Sequence, residues 1–237
     1  MPCLQGRARR RSHMIVIENI LGQDVLTEVA AALRELRWED GRNTAGATAR
    51  RVKRNQQADL SSRTGSKVRE VLLEAVKRHP VVEAYARPLK FAPPLISCSG
   101  EGDAYGLHID NPVMGKGDAR LRTDLSFTLF LSPPESYDGG ELEIETVFKT
   151  ESVKLPAGSM VIYPSTELHR VTPVTSGERF VFVGWIQSAI KDAAQRAILF
   201  DVTNLKAGLA RRFPPGSPEL LTLAKTESNL IRMWSDI

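Results

Sequence analysis

Two cysteines, Cys3 and Cys98, are too few for a disulfide framework. Apolar residues never run on for the roughly 20 positions that a membrane-spanning helix needs. The basic start has no apolar stretch behind it, which excludes a secretory signal of the usual kind. These absences point to a protein of the reducing cytoplasm, away from the membrane. Acidic residues are missing from the first 13 positions, and Arg7, Arg9, Arg10 and Arg11 there account for the whole formal charge of +4. The remaining 28 basic residues balance 28 acidic ones, so the body of the chain is neutral and argues against a nucleic-acid-binding face. Residues 1–13, with Ser12-His13-Met14 resembling a cloning junction or an upstream start, are expected to be poorly ordered and are set apart from the fold.

What is present divides by periodicity. Residues 14–20 are short, apolar and β-branched, a strand pattern. Asp24 offers a cap for a helix whose stripe is Val25, Leu26, Val29, Leu33 and Leu36. Residues 41–59 carry Arg42, Arg50, Arg51, Lys53 and Arg54 with little apolar periodicity, and read as a mobile loop, either solvated or lid-like. A second helix is expected over 62–79, ended or restarted at His79-Pro80. From residue 90 the pattern becomes short strands with turn residues between them: 94–98, 104–109, 125–131, 141–145, 151–154, 160–163, 170–174 and 180–186. Eight such strands fit a jelly roll. Ser188 and Ser217 are candidate caps for two closing helices. The expected fold is mainly β with flanking helices (α+β). A double-stranded β-helix core at about 90–188 lies within a domain of 14–188, followed by a helical extension at 189–237.

Chemistry concentrates in Ala104-Tyr105-Gly106-Leu107-His108-Ile109-Asp110-Asn111-Pro112. In an extended strand, His108 and Asp110 project from the same side. A further histidine stands at Leu168-His169-Arg170, after another strand-like run. Two histidines and one carboxylate are the protein ligands of the facial triad that holds non-haem Fe(II). A structural histidine pair or another metal such as zinc remains open on the residues alone. Such a triad leaves three positions free. A 2-oxo acid takes two and dioxygen the third. Ten residues after His169, Arg179 supplies a planar cation that matches the far carboxylate of 2-oxoglutarate better than a lysine would. Asn111 is a candidate to orient Asp110. Trp185 reads as core, Cys98 as a small buried side chain, and His79 as a helix-terminal residue.

These motifs resemble the PKHD-type hydroxylases of the Fe(II)/2-oxoglutarate dioxygenase superfamily, relatives of prolyl and lysyl hydroxylases. The likeness lies in Tyr105-Gly-Leu-His108-Ile-Asp110-Asn111, Tyr137-Asp-Gly139-Gly140-Glu141-Leu142, Leu155-Pro-Ala-Gly158, and Leu168-His169-Arg170-Val171-Thr172-Pro173-Val174. It continues into the tail at Asn229-Leu-Ile-Arg-Met-Trp234. The resemblance implies a jelly-roll core, iron at His108, Asp110 and His169, 2-oxoglutarate at Arg179, and, as a family trait, ascorbate. One departure stands out. Relatives often carry a tyrosine nine residues before the first iron histidine, where this chain has Ser99. Tyr105 or Thr128 could supply the missing hydroxyl contact.

The expected activity is therefore hydroxylation of a peptidyl prolyl or lysyl residue or of a small metabolite, with release of succinate and CO2. Two alternatives share the motifs: repair of alkylated nucleic acid, with residues 50–54 tracking phosphate, and a non-enzymatic jelly-roll sensor of metal or organic acid. The closing helices could cover the barrel or join two copies into a homo-oligomer.

Overall fold

Two antiparallel sheets and five helices make up the computed structural model, which describes residues 8–11, 14–44, 46 and 49–237. The larger sheet runs β1 (Ala8–Arg11), β2 (Met14–Ile17), β15 (Met160–Pro164), β11 (Leu125–Phe130), β18 (Arg179–Ser188), β7 (Leu95–Ser99), β5 (Gln56–Ala58) and β3 (Trp38–Asp40). Beside β7, β6 (Pro88–Phe91) pairs with the far end of β18. The smaller sheet runs β14 (Thr150–Val153), β13 (Leu142–Glu145), β16 (His169–Val171), β8 (Ala104–His108) and β4 (Lys53–Arg54). Two short pairs complete the set: β9 (Val113–Met114) with β10 (Leu121–Arg122), and β12 (Tyr137–Gly139) with β17 (Val174–Gly177). The two facing sheets are the jelly roll.

The phase of β11 explains both layers. Its six residues are all buried. Leu125, Phe127 and Leu129 face outward and pack with Ile15, Ile17, Met160, Ile162 and Phe182. Helices α1 (Gln23–Leu33), α2 (Arg63–Lys77) and α3 (Pro80–Ala86) cover that face with Leu33, Leu72 and Val82. Ser126, Thr128 and Phe130 point the other way, into the roll. There Phe130 meets Leu142, Ile144, Val161 and Val181 in a second core. Alternation along one strand thus divides an oily exterior layer from an interior that can carry polar groups.

Several local expectations shift. Ala8–Arg11 pair with Met14–Ile17 as an edge hairpin, where no order was anticipated; residues 1–7, 12 and 13 lie outside the described set. Helix α1 is capped by Gly22, leaving Asp24 in its first turn, where a carboxylate suits the helix dipole. Ser62 caps α2 by accepting from Gly65 N at 3.0 Å. His79 caps α3 by accepting from Val81 N at 3.3 Å, so it is helix-terminal. The basic stretch 41–59 is not simply a loop: it contributes β4 to one sheet and β5 to the other.

At the C-terminus α4 (Ala193–Leu209) is capped by Asp192 rather than Ser188, whose hydroxyl accepts from Ile190 N. Helix α5 (Pro218–Trp234) packs on α4, with Ser217 as its cap. Glu227, near the middle of α5, accepts from Arg87 at 2.9 Å and Thr203 at 2.6 Å, and also pairs with Lys206. Among the described residues, no helix is long and apolar enough to cross a membrane.

Candidate metal centre

His108 and His169 are opposite one another in register where β8 pairs with β16. Their rings lie 4.2 Å apart between centroids. The two strands slip between His169 and Val171, so three steps along β8 match two along β16. That bulge turns both Tyr105 and His108 into the roll, the re-aiming that bulges beside active sites provide. Tyr105 stacks on His108 with centroids 3.6 Å apart and planes 14° from parallel. Strand β8 ends at His108, so Asp110 arrives from the turn beyond and not from the strand itself. Even so, one donor atom from each of His108, Asp110 and His169 lies within 4.8 Å of the others. His169 Nε2 is 3.8 Å from Asp110 Oδ2.

Both imidazoles are held by their Nδ1. That of His108 is 2.8 Å from the Gly106 carbonyl, and that of His169 is 3.0 Å from the Glu167 carbonyl. Since a carbonyl only accepts, each Nδ1 carries a proton, and a neutral ring then leaves its Nε2 lone pair free for a cation. Burial, and next the neighbouring His169, push the His108 pKa down to about 4, against the Gly106 carbonyl and Asp110. His108 is therefore neutral at physiological pH. The Asp110 carboxylate accepts from Ser126 Oγ at 2.6 Å, and Ser126 in turn meets Ser165 Oγ at 2.7 Å. Ser126, not Asn111, orients this group; Asn111 instead packs against Gly46 at the cavity wall.

Arg179 opens β18 and is 3% exposed. Its guanidinium sits over the Phe130 ring at 5.5 Å, and Nε has no hydrogen-bond partner. The Tyr137 hydroxyl is buried beside it. Desolvation lowers the arginine's pKa, while Tyr137, Tyr163 and Glu141 pull it back up. Gly140 has φ +67°, and a Cβ there would stand 2.9 Å from Arg179 Cδ. A glycine is needed for the turn and for the arginine stem passing over it.

One cavity of about 920 Å³, open mouth included, contains the triad, Arg179 and Tyr105 together. Ser99 lines it too, buried directly across from Arg179 in the β7–β18 register. Tyr163 is closer to the chemistry than the sequence suggests. It is buried, and its ring is 5.2 Å from His169. Burial raises its pKa well above the ordinary value. Trp185, expected in the core, is half-buried and lines the cavity. Cys98 is buried, its thiol pushed up to about 12 chiefly by desolvation. His79 caps its helix and takes no part.

Residues 94–187 match the model of the 2OG-Fe(II) oxygenase superfamily. A PKHD-type hydroxylase of Teredinibacter turnerae is 42% identical over 223 residues, covering 94% of this chain and 99% of the relative. One from Shewanella sp. (strain MR-7) is 40% identical over 224 residues, covering 94% and 100%. In fold the chain is similar to a prolyl hydroxylase from Trichoplax adhaerens, with TM-score 0.58, 19% identity, and coverage of 78% of this chain and 86% of that one. The chain belongs to the PKHD-type hydroxylases, a family of Fe(II)- and 2-oxoglutarate-dependent dioxygenases.

Proposed function

We propose that His108, Asp110 and His169 hold the ferrous ion and that Arg179 holds the far carboxylate of 2-oxoglutarate. The observation that carries this reading is the convergence of three donor atoms within 4.8 Å, on one side of a cavity that also contains a buried cation. The donor set fits the ion: two neutral imidazole nitrogens and one carboxylate oxygen, with no thiolate among them, suit Fe(II). When bound, iron, 2-oxoglutarate and dioxygen together supply the oxidising power that hydroxylates a substrate C–H, giving succinate and CO2.

The protein's part is positioning and exclusion of water. The Gly106 and Glu167 carbonyls fix both imidazoles with Nε2 inward. Ser126 holds the carboxylate that completes the set. Arg179, stripped of water, presents its charge in surroundings that screen it little. Leu142, Val171, Val181 and Val183 line the same cavity and keep it apolar around these groups. Thr128 and Tyr163 line the same cavity with their hydroxyls, as candidates for the polar contact that Ser99 is too short to make. Tyr105, stacked on His108, forms the wall on the opposite side. Residues 14–188 are the catalytic unit, and residues 189–237 are an appended helical pair. The cavity admits a peptidyl side chain or a small molecule.

An anaerobic titration of the Fe(II) protein with 2-oxoglutarate tests this assignment. A metal-to-ligand charge-transfer band is expected. His169→Ala should lose both the band and succinate formation. A wild-type protein that takes up iron yet shows neither would end the oxygenase reading.

A further inference from the structure

Lys53, Asn55 and Gln57 alternate along one short segment and face the cavity together. Lys53 lies in β4, opposite Tyr105 of β8. Three residues on, β5 has joined the other sheet beside β7. The segment therefore bridges the two sheets at one end of the roll, and its inward row is polar.

Asn55 and Gln57 each make a short bond to the scaffold, although Asn55 Oδ1 finds no partner among the described residues. Asn55 Nδ2 donates to Ser97 Oγ at 2.6 Å, and Gln57 Oε1 accepts from Thr44 Oγ1 at 2.7 Å. Lys53 differs. It is 6% exposed, yet among the described residues its ammonium has only a long bond to Thr44 Oγ1, 3.4 Å, and the face of the Tyr105 ring at 5.1 Å. Among the described residues it forms no salt bridge. A buried ammonium without a counter-charge is costly to keep. Burial draws its pKa down to about 8, with Asp110 and Asp40 pulling upward, so it stays mostly charged at neutral pH.

The two cations of the cavity serve different ends. Arg179 feels Tyr137, Tyr163 and Glu141, in the interior. Lys53 lies against Tyr105, whose ring stacks on His108, and on the segment that carries the exposed Arg51 and Arg54. Arg50, Arg51 and Arg54 are exposed on the same segment, a local field that favours approach by an anion.

Building on the oxygenase assignment, we propose that Lys53 anchors an oxyanion of the primary substrate, a carboxylate or a phosphate monoester, and so selects an acidic molecule for hydroxylation. The ammonium acts as a point charge that either oxyanion can satisfy. Its counter-charge arrives with the substrate, which accounts for the lack of a salt bridge to Lys53 among the described residues.

Wild type, Lys53→Met and Lys53→Arg, loaded anaerobically with Fe(II) and saturating 2-oxoglutarate, are titrated with propionate, methyl phosphate and propionamide. The readout is the shift of the charge-transfer band. Propionate or methyl phosphate should move the band in wild type, and which of them does so identifies the oxyanion. Propionamide should not. In Lys53→Met the half-saturating anion concentration should rise at least tenfold, while Lys53→Arg stays within a few-fold. Lys53→Met should bind 2-oxoglutarate within about threefold of wild type and melt no lower, since it removes an unpaired buried charge. Should Lys53→Met not fold, Lys53→Gln makes the same comparison. The proposal is overturned if propionamide acts like propionate, if neither anion moves the band, or if Lys53→Met responds as wild type does. A tenfold loss of 2-oxoglutarate affinity in Lys53→Met would also overturn it, by assigning the lysine to the co-substrate. A wild-type protein with no band at all is a different failure, that of the oxygenase assignment itself.

Discussion

Ser126 faces the metal centre from the larger sheet, donating a hydrogen bond to Asp110 and meeting Ser165. Without that bond the carboxylate could turn among rotamers, and the ligand set would lose its preorganisation. Groups that orient metal ligands commonly carry about 10- to 100-fold of metal affinity. Ser126→Ala should therefore weaken Mn(II) or Fe(II) binding by about that factor in a competition titration, with only about 1 kcal/mol lost from the metal-free fold. Unchanged metal affinity would mean that the turn after His108 holds Asp110 unaided. His108, Asp110, His169 and Arg179 are legible in the sequence as candidates because their residue types and spacing match a known ligand set and the motifs that surround it. Ser126 and Lys53 are not. A serine within Leu125-Ser-Phe-Thr-Leu-Phe looks like an ordinary break in an apolar strand until the inward face is known. A lysine among arginines looks solvated until the chain is seen to cross between sheets.

One carboxylate links α4 and α5 to the segment ahead of β6, beside the packing of Phe200 on Tyr85. Glu227 takes hydrogen bonds from Thr203 and Lys206 on α4 and from Arg87 ahead of β6. Burial alone would raise its pKa, but Lys206, Thr203 and Arg87 outweigh that and hold it at about 2 against an ordinary 4.5. A depressed carboxylate stabilises the fold fully above its unfolded value, and that contribution fades as pH falls from 4.5 toward 2. Glu227→Gln leaves Arg87 largely buried without its charge partner and should cost about 2 kcal/mol, discounted for the partial exposure of Lys206. For a chain of this size that lowers Tm by roughly 4–8 °C. Thermal melts from pH 6 down to pH 2.5 should show the variant's deficit shrinking with acidity. A deficit that stays constant would place the cost in packing, not in charge. At this scale the sequence is readable where periodicity is strong, as in α2 and in β13 and β14 of the smaller sheet. It is unreadable over residues 41–59, because β4 and β5 are too short to show a period and are set by pairing with distant strands. The bulge in β8 is invisible for the same reason: it exists only relative to β16.

At the scale of the whole molecule, the site is distributed over both sheets. His108 and His169 belong to the smaller sheet, Asp110 is tied through Ser126 to the larger one, and Arg179 begins a central strand of the larger one. A ligand that touches the metal and Arg179 together therefore joins the two layers. On the proposed assignment this arrangement sets an order. Iron would bind without 2-oxoglutarate, because its three proposed ligands are protein groups. 2-Oxoglutarate without metal would meet only Arg179, with nothing to chelate its keto acid end. A ligand present at about 100 times its Kd stabilises the folded state by about 2.7 kcal/mol. At 237 residues this is roughly 5–10 °C in Tm. Anaerobic melting with saturating Mn(II) or Fe(II) should show that rise, and 2-oxoglutarate added afterwards should give a second increment. With a chelator present, 2-oxoglutarate alone should move Tm by less than about 2 °C, because a single buried ion pair forms where the metal complex would give chelation as well. Equal stabilisation by 2-oxoglutarate with and without metal would contradict a co-substrate held across the two sheets, and would place its binding at Arg179 alone.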